Sequence, residues 1–287
     1  MNYFKLYLSA AIVGIPALFM AAPVFAADAP ELGTASEFAV LSAAPDQSGA
    51  VTCTDTTIIG DVGSSGQPES VVQTNCTITG TIVAPVSIQV IEDFNSAYDE
   101  VAALSCDEVL TGTLADVELT PGVYCFEAAA TLTGTLTLVG GENEVWIFKV
   151  GTGGTGALTA TGFTVTLANG AATCNVYWWS AQDVTLTDSA FKGNLLSGAA
   201  ITVTGGTFEG DAMAKGAVTL TGAEATGCDG GSTTPTKPER QRCDQGVGNG
   251  PEGCDPGNSN QGIPFLSNDE LGGVPGNPGK RNPGRRN

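Results

Sequence analysis

Three pentapeptides carry the side chains best placed to do chemistry at a surface: Asp183-Val-Thr-Leu-Thr187, Ala200-Ile-Thr-Val-Thr204 and Ala217-Val-Thr-Leu-Thr221. They start at residues 183, 200 and 217, a step of 17. In each copy apolar positions (Val184/Leu186, Ile201/Val203, Val218/Leu220) alternate with threonines, so a strand would have one core face and one hydroxyl face. Stacked copies place Thr185, Thr202 and Thr219 in one file and Thr187, Thr204 and Thr221 in a second. The spacing would be about 4.8 Å between strands and about 6.6 Å along them. Threonine is restricted at χ1, so such an array loses little freedom when it meets a partner. The chemistry this offers is adsorption to an ordered, periodic ligand such as a crystal face. The plainer reading is that threonine simply suits an exposed strand.

Other chemistry finds less support. The chain has no histidine, which excludes Ser-His-Asp and Cys-His catalysis, and no CxxC that would suggest zinc. Glu209 and Asp211, two residues apart, would share a strand face with Asp188 about one coil away, a candidate carboxylate set for polysaccharide cleavage. The plainer reading is solvated acids at coil corners. Asp244-Gln-Gly-Val-Gly-Asn-Gly250 and Asp255-Pro-Gly-Asn-Ser-Asn260 resemble calcium loops only faintly, lacking the alternating acids and closing Glu of an EF-hand.

The elements that must hold the threonines follow from periodicity. A fixed step near 20 residues with strand alternation is the mark of stacked coils. Glu31–Leu41 reads as a first strand, and short β-branched runs follow at 56–66 and 76–83. Between 87 and 105 the period changes to helical: Val90, Ile91, Phe94, Ala97, Tyr98, Val101 and Leu104 share one side, predicting an amphipathic helix. Further strands are expected at Thr131–Leu138, Glu144–Val150, Phe163–Leu167 and Val176–Trp179.

The flanks read differently. Lys5, an apolar Leu6–Met20 and the small residues of Val24-Phe25-Ala26 form a secretory signal, predicting export with residues 1–26 removed. Residues 27–228 form the β domain. Residues 229–287 are Gly-, Pro- and Asn-rich, predicting a mostly disordered tail. The whole chain carries 11 Lys and Arg against 30 Asp and Glu. Between 27 and 228 the only basic residues are Lys149, Lys192 and Lys215. That disfavours nucleic acid and anionic membrane as partners, and no later segment is long and apolar enough to span a bilayer. Eight cysteines in an exported chain point to disulfides. Nearest-neighbour pairing would give Cys53–Cys76, Cys106–Cys125 and Cys243–Cys254, leaving Cys174 with Cys228, although spacing alone does not fix the connectivity.

Several spaced blocks occur in order: Leu32-Gly-Thr-Ala-Ser-Glu-Phe-Ala-Val-Leu41, Ile59-Gly-Asp-Val-Gly63, Asp93-Phe-Asn-Ser-Ala-Tyr98, Leu119-Thr-Pro-Gly-Val-Tyr124, Leu132-Thr-Gly-Thr-Leu-Thr-Leu138, Val145-Trp-Ile-Phe148 and Cys174-Asn-Val-Tyr-Trp178. Together they resemble the microbial ice-binding protein family, over about 32–227. The resemblance implies a mainly β fold: a right-handed, discontinuous β-solenoid of triangular section with one long helix alongside, its first coil closing against its last. It implies non-covalent ice binding without a cofactor, through a flat β face bearing Thr-Ala/Gly-x-Thr/Asn motifs. Thr161-Gly-Phe-Thr164 and Thr204-Gly-Gly-Thr207 fit that motif, whereas Thr187-Asp-Ser-Ala190 and Thr221-Gly-Ala-Glu224 depart from it. The sequence therefore predicts a secreted or cell-surface, non-enzymatic, monomeric protein whose partner is the ice crystal surface. Its predicted ice-binding residues are Thr161, Thr164, Thr185, Thr187, Thr202, Thr204, Thr207, Thr219 and Thr221, with no metal. The alternative is an adhesin or surface-layer module.

Overall fold

Most regular residues lie in parallel strands, and the computed structural model describes residues 27–228. The proposed signal segment, the tail with its calcium-like loops, and the Cys243–Cys254 pair lie outside the described residues. A nine-stranded sheet and a thirteen-stranded sheet wrap one apolar core.

The central strands of the nine-stranded sheet are buried on both sides, which explains their continuous apolar runs. In Trp146–Val150 and Val176–Ser180, Trp146, Phe148, Val150, Val176 and Trp178 point into the core. Their alternates Ile147, Tyr177 and Trp179 point outward into a second apolar layer. The inward rings of Phe148 and Trp178 stack with centroids 3.9 Å apart.

Helix α1 (Ile88–Ala103) covers that outward layer with Val90, Ile91, Phe94, Ala97, Tyr98 and Val101. Ser87 caps its start by accepting from the Val90 amide at 3.4 Å. At its end the buried Lys149 Nζ donates to the carbonyls of Ala102 (2.8 Å) and Leu104 (2.6 Å). A cation there answers the negative end of the helix dipole, although burial pushes the Lys149 pKa below its ordinary value. The Tyr98 hydroxyl donates to Ser180 O, and Trp179 Nε1 donates to Tyr98 O, fixing the helix to the sheet.

The first strand is shorter than its sequence suggests. Gly33–Glu37 forms a 3₁₀ turn, and only Phe38–Ser42 is extended. The reason is tertiary: Asp93 of α1 accepts from both the amide and the hydroxyl of Thr34, each at 2.7 Å, drawing the segment off the strand path.

Strand order does not follow chain order. Phe38–Ser42 pairs with Ala212–Ala214 on one side and Asp61–Ser64 on the other. Val51–Thr54 likewise sits between Val218–Thr221 and Val71–Thr74. The beginning of the described chain thus stacks on its end. After α1 the chain resumes at the opposite edge of the sheet with Glu108–Val109. Disulfides join Cys53 to Cys76, Cys106 to Cys125 and Cys174 to Cys228.

Candidate functional site

The thirteen-stranded sheet brings the threonines into register. Thr185 stands opposite Thr202, which stands opposite Thr219. The file continues past the 17-residue repeat in both directions, through Thr159 and Thr131 on one side and Thr52 on the other, where Val72 ends it. The second file runs Thr161, Thr187, Thr204, Thr221, Thr54 and Thr74. Between the files, Leu132, Ala160, Leu186, Val203, Leu220 and Cys53 point inward and are buried, whereas Gln73 on the edge strand is exposed. No residue in these strand segments is charged.

Thr52, Thr54, Thr74, Thr131 and Thr159 are absent from the sequence-based set because they fall off the 17-residue step. Their signal was present: Val51-Thr-Cys-Thr54 and Leu158-Thr-Ala-Thr161 carry the same alternation as Val184-Thr-Leu-Thr187. Only stacking shows that they share a file.

The Thr-x-x-Thr motifs turn out to bridge a bend. On a straight strand residues i and i+3 point to opposite sides. Here a left-handed residue follows each threonine of the second file: Gly162, Asp188, Gly205, Gly222, Asp55 and Asn75. The chain turns there, the following side chain (Phe163, for example) drops into the core, and the fourth residue again faces out. Thr164 and Thr207 therefore belong to another file, Thr135–Thr164–Ala190–Thr207–Glu224–Thr57–Thr77. The structure separates them from the seven other threonines of the sequence-based set.

The departure at Thr187-Asp-Ser-Ala190 has a local reason. Asp188 adopts the left-handed conformation at φ 47°, which Asp tolerates better than most residues. The following Ser189 hydroxyl donates to Thr187 O (2.9 Å) and accepts from the Phe163 amide (3.2 Å). Thr56 repeats this by donating to Thr54 O and accepting from the Ala223 amide. Two coils thus tie their bend with a buried hydroxyl, while Gly205-Gly206 does so with backbone freedom alone.

The carboxylate set does not assemble. Gly210 lies between Glu209 and Asp211 at φ 136° and turns the chain, so the two acids do not share a face. Glu209 forms an ion pair with Lys192. Asp211 is buried, accepting from the Cys228 amide at 2.8 Å.

A mainly β fold of parallel strands with one covering helix thus presents an uncharged, repetitive double file of threonines. Comparison with known proteins shows the family. The chain belongs to the ice-binding-like family, whose profile matches residues 45–226. It is 32% identical over 192 residues to an ice-binding protein of Flavobacterium frigoris (strain PS1), covering 61% of this chain and 67% of that one. It is 36% identical over 179 residues to an ice-binding protein of Nostoc sp. (strain HG1), covering 59% of this chain and 62% of the relative's length. Among solved structures, the ice-binding protein of the Antarctic ascomycete Antarctomyces psychrotrophicus superposes with a TM-score of 0.61 at 31% identity, covering 69% of this chain and 98% of that one.

Proposed function

We propose that this chain is an exported, non-enzymatic ice-binding protein that adsorbs to ice through the double threonine file and inhibits ice growth and recrystallisation. In this reading the stacked strands form a right-handed, discontinuous solenoid of triangular section, and the two files make one flat side of it. The observation that carries the reading is the unbroken register of Thr161, Thr187, Thr204, Thr221, Thr54 and Thr74 beside a second file of the same kind.

The mechanism follows from the side chains. Each threonine offers a methyl and a hydroxyl at strand spacing, about 4.8 Å by about 6.6 Å. Waters caged by the methyls and held by the hydroxyls form an ordered layer that merges with the crystal. Charges would disturb this layer, because an ion orients its own hydration shell and loses much free energy when stripped of it. Adsorbed molecules then force the ice front to curve between them, which opposes growth. No cofactor enters the process.

Thr204→Tyr tests the assignment. A ring standing above the plane should abolish most thermal hysteresis and recrystallisation inhibition while the circular dichroism spectrum stays unchanged. Full activity in that variant would move the site elsewhere. Binding to a polysaccharide or to cells at room temperature, with no effect on ice, would select the adhesin reading instead.

A further inference from the structure

Beyond the bend lies a second series of outward-facing residues that is almost a copy of the first. One file reads Thr135, Thr164, Ala190, Thr207, Glu224, Thr57 and Thr77. The file beside it contains Glu118, Thr137 and Thr166 on neighbouring strands, then Lys192, Glu209, Thr226 and Ile59. Between them Val165, Phe191, Phe208, Ala225 and Ile58 point inward and are buried. The backbone scaffold is therefore the same as under the double threonine file, with parallel strands in register over an apolar core.

What differs is charge. Glu224 is exposed in the middle of one file, and the Lys192–Glu209 ion pair stands in the middle of the other. The first face carries no charge in any strand segment. An exposed carboxylate binds water in an orientation set by its own field, and covering it with an ordered layer forfeits much of that hydration. A partly exposed ion pair adds little to stability, so folding alone gives it weak reason to be there.

Resting on the ice-binding reading above, we infer that this second face is a latent ice-binding surface, and that Glu224 together with the Lys192–Glu209 pair restricts the protein to its first face. These three residues set specificity: they decide which side of the stack, and so which crystal plane, the protein engages.

The experiment replaces all three: Lys192→Thr, Glu209→Thr and Glu224→Thr in the full chain, with and without Thr204→Tyr. Fluorescently labelled protein adsorbed to a single ice crystal reports the planes bound, and hysteresis reports strength. The triple variant should label an additional plane, and adding Thr204→Tyr to it should leave measurable hysteresis. If that quadruple variant is as inactive as Thr204→Tyr alone, the second face is not latent and the inference falls. If Thr204→Tyr alone keeps full activity, the first-face reading is what fails, a distinct result. Glu224→Thr by itself leaves the ion pair in place, so it guards against misfolding of the triple variant. It should strengthen recrystallisation inhibition, and an unchanged plane pattern and inhibition in a folded Glu224→Thr protein would overturn the inference.

Discussion

Thr54 stands directly opposite Thr221 on adjacent parallel strands, although the two come from opposite ends of the described chain. The pairing carries the threonine files across the break in chain order, so a surface that is continuous in space is assembled from segments that are not continuous in sequence.

Thr54→Tyr therefore tests whether the working face extends beyond the 17-residue repeat. The side chain is only partly buried, so the cost in stability should be about 1 kcal/mol or less. Hysteresis should nevertheless fall nearly as far as in Thr204→Tyr. Undiminished hysteresis would confine the contact to the repeat itself.

The bend can be tested through its glycines. Gly206 has φ 71°, and a Cβ there would lie 2.2 Å from Ser189 O. Gly222 has φ 63° with open space around it. Gly222→Ala should cost only the left-handed penalty, about 1–2 kcal/mol, whereas Gly206→Ala must also move backbone. Thermal unfolding should rank Gly206→Ala clearly below Gly222→Ala, and equal melting temperatures would contradict the close approach.

Alkaline pH should weaken the fold through its buried tyrosines. Burial, helped by the Asp99 charge, pushes the Tyr98 pKa from 10.0 up to about 12. Tyr177 is pushed up in the same direction by burial first, then by Asp211 and Glu31. A phenol whose pKa is raised on folding keeps its full contribution below the unfolded value and loses it as pH climbs toward the folded one. Urea midpoints should therefore fall from about pH 10 upward, the ordinary tyrosine range. Tyr98→Phe should flatten that decline while costing about 1 kcal/mol at neutral pH for the lost bond to Ser180 O. A decline equally steep in Tyr98→Phe would place its cause in other groups.

Much of the architecture was legible because the physics that produced it is local. The helix over 87–105 is found at Ile88–Ala103 because its apolar spacing is a property of the segment alone. The repeat strands lie at Val184–Thr187, Ile201–Thr204 and Val218–Thr221 because their alternation is equally local. The first strand misled because the pull of Asp93 on Thr34 comes from 59 residues away. Lys149 gave no sign of its task either, since the carbonyls it holds belong to a helix more than forty residues earlier.

The sequence by itself determined which residues alternate, where the helix lies, and that Thr185, Thr202 and Thr219 recur at equal steps, because covalent spacing sets side-chain direction in strands and helices. Only the tertiary structure decided which threonines share a surface. Register between strands depends on where the chain returns, which is why Thr52, Thr54 and Thr74 joined the files while Thr164 and Thr207 were turned away. The left-handed backbone after each threonine of the second file (Gly162 before Thr164, Gly205 and Gly206 before Thr207) was enough to separate them, and its effect appears only once the coils stack.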